Sequence, residues 1–528
     1  MKKIILTLTL LWGVANLQLT ALHFGLGFVQ AQEDTLWIRY DDRFKANGRL
    51  LLTGIDSLEV KSTQFRFYAN DGTSRAQIYT QLVPTDEASM QFTNPGRILL
   101  KPSIYSSTNY TNASATQGYN FQHMVEGEHF AVFWDVRYGE NAAKIQYPGD
   151  GNVANANTVL SIGENCWKKY CELGFMKPGE STTDRYKIQL YIPYQSEWRA
   201  DASGTDGASG GKTGIGHFNP WAANARGGHT IAHEVGHTFQ YLVSADLGMS
   251  HGFNYGYGDG ASGGNGWWES CANWQAYKVY PSRQFTDGEY FEGHLPLHHL
   301  NLLHEDWRYQ NCFIQDWWCM KHGQDFVGRL WRESNKPEDP VEAYKRLCGL
   351  SQAEFCYEQM EGYMRMATWD IDGIRDAARS RIGQHQGVNH IKLAQGQTDT
   401  WQIDSAHCVQ NYGYNIINMA TAKAGTTVRA HFHGIVGEKG YRSVQPSRAG
   451  WRYAFVALTS SGQRLYGDIQ SEADGVAELT LPSTITRLFF VVMGAPTTHW
   501  RHPWDDNPQN DEQWPYQVRF EETKPLGK

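Results

Sequence analysis

Apolar and polar positions change their period along the chain, and the changes divide it. Over residues 33–100, "TLWIRY", "SLEVKSTQFRFYA", "AQIYTQLVP" and "GRILLKP" alternate or cluster apolar residues between turn signals, which predicts short strands. The polar stretch "SSTNYTNASATQGYN" then predicts a linker. "EHFAVFWDV" (Glu128 to Val136) and "YKIQLYIPY" (Tyr186 to Tyr194) predict strands, with Gly-rich loops around them, notably "DASGTDGASGGKTGIG". From Trp221 to about Gln384 apolar residues recur every three to four positions. "FVGRLWRES", "PVEAYKRLC" and "SQAEFCYEQMEGYMRMA" show the spacing of amphipathic helices. After Gly387, "TTVRAHFHGI", "GWRYAFVALTS", "VAELTLP", "RLFFVVMGAP" and "PYQVRF" are spaced like the strands of a β-sandwich. The expected chain is multidomain: a β-rich module over 32–115, an α+β domain with strands then helices over 116–387, and an all-β sandwich over 388–528.

Composition narrows the partners. With 41% hydrophobic and 19% charged residues, the 528-residue chain can build globular cores. A formal net charge of −8 disfavours nucleic acid or an anionic membrane. Lys2 and Lys3 precede a long apolar run that ends in small residues at Ala31, so residues 1–31 read as a signal peptide cleaved before Gln32. An uncleaved membrane anchor is the competing reading, weakened by Asn16, Gln18 and His23. The protein is then expected to be secreted, periplasmic or on the cell surface, with no stable membrane insertion after cleavage. Export makes the eight cysteines candidates for disulfides. Cys166/Cys171, Cys312/Cys319 and Cys348/Cys356 are near pairs, leaving Cys271 and Cys408, and no CxxC pair suggests a zinc knuckle.

The chemistry concentrates in "HTIAHEVGHTFQY", His229 to Tyr241. On a helix, residues four apart share a face, so His233 and His237 can bind one zinc ion. Glu234 can then reach a metal-bound water without ligating, the HExxH arrangement with glutamate as general base. HExxH alone also arises by chance on surface helices, so a third ligand decides. The metzincin continuation needs a histidine where Val243 stands, and that branch fails. Glu269 lies 32 positions after His237 in "GNGWWESCANWQAYKVY", on a segment that reads as a second helix. A carboxylate there completes a His₂Glu catalytic set with one position open for water.

"HEVGH" followed by "WWESCANWQAY" resembles the gluzincin zinc metallopeptidases, over roughly residues 120–370. The second phrase is similar to the glutamate-bearing helix of aminopeptidase-like and collagenase-like members. The wider chain looks like large secreted bacterial zincin-like proteins of unassigned substrate. The resemblance implies a zincin-like fold for the α+β domain, with His233, His237 and Glu269 as ligands of one catalytic zinc and Glu234 as base. It also implies that "YKIQLYIPY" is the strand ahead of the site, whose edge aligns substrate in such domains. One departure is Asn273, where many gluzincins carry aspartate; its amide oxygen could still orient a ligand histidine. Tyr309 is the first candidate to stabilise the oxyanion, with His229, His304 and Tyr277 behind it.

Other stretches admit two readings each. The histidines of "HLPLHHL" (His294, His298, His299) could be a second metal site or a histidine-bearing loop or helix surface. "GYGDGASGGNG", which links the two metal helices, could let substrate approach closely or be a plain loop. Asp505, Asp506, Asn507, Asp511 and Glu512 could bind calcium, or form a solvated acidic turn, since their spacing fits no EF-hand. Trp500, Trp504, Trp514 and Tyr516 could form a sugar platform or pin the last strand. The expected function is a secreted zinc peptidase acting on protein or glycoprotein, with possible glycan contact through the C-terminal domain. The alternatives are an extracellular glycan- or protein-binding protein on a zincin scaffold and a zinc hydrolase of another substrate; the intact Glu234 speaks against a pure binder.

Overall fold

The computed structural model describes residues 112–526 except 185, 204–213, 256–265 and 385–389. Of the earlier chain it describes the backbone of strands between residues 26 and 91 and scattered residues between 97 and 110. Most of the signal segment, the centre of the "DASGTDGASGGKTGIG" loop and nearly all of "GYGDGASGGNG" therefore lie outside the described residues. The chain is multidomain, mixes helices and several sheets, and forms two compact units, Met1–His251 and Gly252–Lys528.

The N-terminal unit begins with two antiparallel three-stranded sheets. Leu26–Gln32, Thr35–Tyr40 and Gly48–Leu51 form the first, and Ile55–Lys61, Gln64–Asn70 and Arg75–Gln81 the second. These are the short strands that the alternating pattern predicts, and the first overlaps the end of the expected signal peptide. The sheet that positions the histidines comes later. Its order is Ala200–Ser203, Ile215–Phe218, Ile188–Ile192, Phe130–Trp134, Met124–Glu126. Ile188–Ile192 runs parallel to both neighbours, and the two outer strands are antiparallel.

Burial on both faces explains why "FAVFW" and "IQLYI" read as unbroken runs rather than alternating ones. Helices Ala156–Glu172 and His229–Leu247 pack on the sheet. A Cβ on Gly163 would sit 2.9 Å from the Phe130 ring, so only glycine permits that approach. Ala131, Phe133, Tyr191 and Ile215 instead join a cluster with Leu99, Tyr110, Tyr119 and Phe121. The stretch expected as a linker thus supplies buried tyrosines. Ser107 and Ser114 lie in turns, while Tyr110 and Tyr119 are buried.

The C-terminal unit opens with helices, among them Trp267–Val279, Phe326–Glu333, Pro340–Cys348 and Gln352–Met366. The last two start at full capping boxes, Asp339 with Glu342 and Ser351 with Glu354, which satisfy backbone N–H groups that no helix carbonyl reaches. Two antiparallel sheets follow. One has the order Ile391–Leu393, Thr400–Ile403, Tyr516–Glu521, Thr427–Gly434, Asp474–Thr480. The other is Tyr414–Met419, Ile485–Gly494, Trp451–Thr459, Arg464–Tyr466. Both contribute to one apolar core that includes Phe432, Phe455, Phe490 and Val518. Helices and sheets interlock within this unit. Gln352–Met366 packs on two strands, and the carbonyls of His299 and His298 accept the N–H groups of Gln410 and Tyr414 at 2.8 and 2.7 Å.

None of the eight cysteines is joined in a disulfide, which corrects the expected pairing. Cys166 and Cys171 lie five positions apart on one helix, about 7.5 Å along its axis and beyond disulfide reach. Cys348 lies 3.7 Å from His322 Nδ1, whereas Cys356 points at the Pro496 carbonyl. Burial pushes Cys166, Cys171, Cys319 and Cys356 up to about 12, and Cys348 up to about 11.

Candidate metal centre

The histidine pair belongs to the N-terminal unit. Strand Ile215–Phe218 ends at Asn219, which caps a short helix by accepting the Ala222 N–H at 3.0 Å. The chain then passes through Arg226, Gly227 and Gly228, all at positive φ, before His229 begins the long helix. Gly228, at φ +97°, makes the turn that aims this helix at the sheet. The helix is buried from His229 to Gln240, and the Tyr170 hydroxyl, from the neighbouring helix, donates to the Ala232 carbonyl at 2.6 Å.

On that helix the Nε2 atoms of His233 and His237 face each other 3.1 Å apart. Two imidazoles on one tetrahedral zinc, at about 2.0–2.1 Å each, would separate their nitrogens by about 3.3 Å. The pair thus already stands at ligand spacing. His237 Nδ1 donates to Gln240 Oε1 at 2.9 Å. That bond fixes the tautomer, leaving the Nε2 lone pair for a metal. Gln240, one turn after His237, lies outside the HExxH pattern, and its signal in the sequence is the i+3 spacing on a buried face. Glu234, between the histidines in sequence, is buried like them.

Glu269 belongs to the C-terminal unit, in the first turn of Trp267–Val279 and 4% exposed. Trp267 and Trp268 flank it and pack on Trp331, the first stacked at 5.3 Å and the second edge-on at 4.7 Å. Gly266, just before this helix, would place a Cβ 3.0 Å from Arg308 and 3.3 Å from the His304 and Leu303 carbonyls, so segment 303–308 presses on the helix start. The Tyr255 hydroxyl donates to Glu269 Oε1 at 2.9 Å. Nothing in the local sequence of Tyr255 marks it as a partner of Glu269.

The remaining candidates take other places. Asn273 uses its amide nitrogen on the Tyr309 carbonyl, at 2.6 Å. Tyr309 is half-buried with its ring beneath the Arg308 guanidinium, at 5.1 Å. Tyr277 is buried on the Glu269 helix, and His229 is buried at the start of the histidine helix. His294 bonds the Tyr414 hydroxyl and the Gln310 carbonyl, and His298 the Tyr414 carbonyl, so these two pin the fold. His299 is pushed down to about 3 by burial and by His407 and His390. The acidic run splits. Asp505 and Asn507 cap an exposed turn, whereas Asp511 and Glu512 are buried, so the run forms no calcium loop. Trp504, Trp514 and Tyr516 are buried and Trp500 is partly buried against the core, a placement that fits the pinning of the last strand. Ile188–Ile192 is a central strand paired on both sides, so its edges cannot align a substrate; Ala200–Ser203 is the outer strand on that side.

Buried histidine and glutamate groups that could hold a metal ion are present among the described residues. A family described as "Family of unknown function (DUF6055)" matches residues 92–527. No curated protein and no solved structure matches the chain.

Proposed function

The chain belongs to this family of unknown function, and we propose from its own side chains that it is an exported zinc-dependent peptidase of gluzincin type. His233, His237 and Glu269 are the ligands of one zinc ion and Glu234 is the general base. The observation that carries this reading is the His233–His237 pair at 3.1 Å, with Gln240 holding one ring in the tautomer that a metal requires. The third residue has the right chemistry, since Glu269 is a buried carboxylate positioned by the Tyr255 hydroxyl on Oε1. In this reading residues 124–218 and the histidine helix form a zincin-like fold, and the two C-terminal sheets face each other as a sandwich.

Zinc supplies a water acidified to a pKa of about 7 and a Lewis acid for the scissile carbonyl. The chain supplies the rest. Glu234, buried where a carboxylate keeps little water, accepts the proton of the attacking water and delivers it to the leaving nitrogen. Gln240 and Tyr255 hold His237 and Glu269 in place, so that little reorganisation is needed at the moment of reaction. An extended peptide can add to the outer edge of Ala200–Ser203, which among the described residues has a strand neighbour on one side only. The Tyr309 hydroxyl remains the first candidate donor to the oxyanion.

The test is Glu234→Gln, which keeps size and hydrogen bonding but removes the base. Zinc-loaded wild type should cleave a peptide library and the variant should be slower by about 10²–10⁴-fold. Equal cleavage by both, at equal zinc content, would sink the mechanism. Cleavage by neither would favour a binding protein.

A further inference from the structure

The C-terminal unit buries a second cluster that the peptidase reading does not use. His304 and Glu305 lie at the start of a short turn, and His502 and Asp511 on the long connection between the last two strands, nearly 200 residues later. All four are buried, each no more than 5% exposed. Glu305 Oε2 lies 3.4 Å from His304 Nδ1 and 3.1 Å from His502 Nε2. Its other oxygen is already used, accepting the Asp506 N–H at 2.9 Å. His304 Nε2 meets Asp511 Oδ2 at 3.2 Å, and Asp511 Oδ1 lies 3.9 Å from His502 Nε2.

We propose that His304 Nδ1, Glu305 Oε2 and His502 Nε2 form a structural site for a divalent cation of the zinc class, with Asp511 as the outer carboxylate. Three ligand atoms, one from each residue, converge within 4.8 Å. The two nitrogen–oxygen separations bracket the roughly 3.3 Å that tetrahedral zinc imposes between ligands. Asp511 accepting from His304 Nε2–H is the carboxylate–histidine pairing that turns the opposite nitrogen to a metal. Two carboxylates buried side by side are costly, and one divalent cation neutralises both. Two imidazoles with carboxylate suit zinc and its neighbours better than calcium, which takes six to eight oxygens. His304 Nδ1 now accepts the Asp306 N–H at 3.0 Å; Asp306 is exposed, so that N–H can turn to water when the ion arrives.

The ion would staple the 502–511 connection to the segment that presses on the Glu269 helix. That connection carries Trp504, which packs edge-on against Tyr255 at 5.4 Å, and Tyr255 in turn holds Glu269. The second site would therefore brace one ligand of the first without touching substrate.

Full-length protein is stripped with a chelator, reloaded with zinc alone, desalted, and analysed for metal per chain. Wild type should hold two zinc ions, Glu269→Ala one, His502→Ala one, and the double variant none. Glu305→Gln covers the case in which His502→Ala fails to fold. It still accepts from Asp506 but removes the anionic ligand, and it should hold one zinc with an unchanged circular dichroism spectrum. A wild type with a single zinc, lost in Glu269→Ala and kept in both His502→Ala and Glu305→Gln, overturns the proposal. A zinc lost in the His502 and Glu305 variants but indifferent to Glu269 upholds it while refuting the peptidase centre.

Discussion

Replacing Gln240 by leucine should weaken zinc binding by about 10–100-fold, the range seen when a hydrogen-bond partner of a metal ligand is removed. Gln240 is 1% exposed, so no water can substitute for its amide oxygen. In the zinc-loaded protein His237 must carry its proton on Nδ1, and the leucine side chain would leave that buried N–H without an acceptor, a loss of about 1–3 kcal/mol. The metal-free protein can escape by moving the proton to Nε2, which already faces His233 at 3.1 Å. The penalty therefore falls on the loaded state and appears as affinity; tenfold to a hundredfold corresponds to about 1.4–2.8 kcal/mol, in line with the lost hydrogen bond. Glutamate at the same position supplies a charged acceptor and should change affinity in the opposite direction, at the expense of metal-free stability. The assay is zinc competition against a chromophoric chelator near pH 7.5, with thermal melts of stripped and loaded samples. A Gln240→Leu variant that binds zinc within about twofold of wild type would show that Nδ1 of His237 does not report on a metal, and would remove His237 from the ligand set.

Tyr255→Phe should weaken zinc by no more than about tenfold, the low end for such partners, because Tyr255 is 47% exposed and water can replace its hydroxyl; the same chelator competition measures it. Tyr170→Phe removes the bond to Ala232 and should lower unfolding free energy by about 0.5–1.5 kcal/mol with zinc stoichiometry unchanged, read from denaturant titration. Asp339→Asn keeps a good N-cap but removes a charge. Burial acts to raise the Asp339 carboxyl, yet His499 at 2.8 Å and the Glu342 N–H outweigh it and hold it below the usual range. A depressed carboxyl contributes stability above its ordinary value of about 3.9 that is lost as pH falls through the lower folded value. The variant should therefore be about 1.5–3 kcal/mol less stable than wild type at pH 7, and the gap should close below about pH 4 in denaturant titrations.

Elements with one strong period were legible before folding. The buried runs "FAVFW" and "IQLYI", the capped helices at Asp339 and Ser351 and the late strands appear where their patterns put them. HExxH was legible for the same reason, since one helix fixes the spacing of His233 and His237. What escaped depends on contacts between distant segments. Nothing near Tyr255 in sequence announces a carboxylate partner, and Glu305 and His502 meet only through the tertiary fold. Cys166 and Cys171 are near in sequence, but the helix that carries them separates their side chains, which sequence proximity does not show. For the aromatic run from Trp500 to Tyr516 both readings stayed open, because composition cannot distinguish an open ring from one packed in a core.

The cysteines, none of them in a disulfide, also make the protein easy to instrument. A thiol held at about 12 is ionised in roughly one copy in ten thousand at pH 8, and one at about 11 in roughly one in a thousand. An added surface cysteine with an ordinary value of about 8.5 is ionised in about a quarter of copies. Maleimide and spin-label reagents react through the thiolate, so a single introduced cysteine should take the label hundreds of times faster than the native thiols that burial raises, and Cys271 is wholly buried. Distance measurements between chosen pairs of positions can then be made in the otherwise wild-type chain, without first replacing any of its own cysteines.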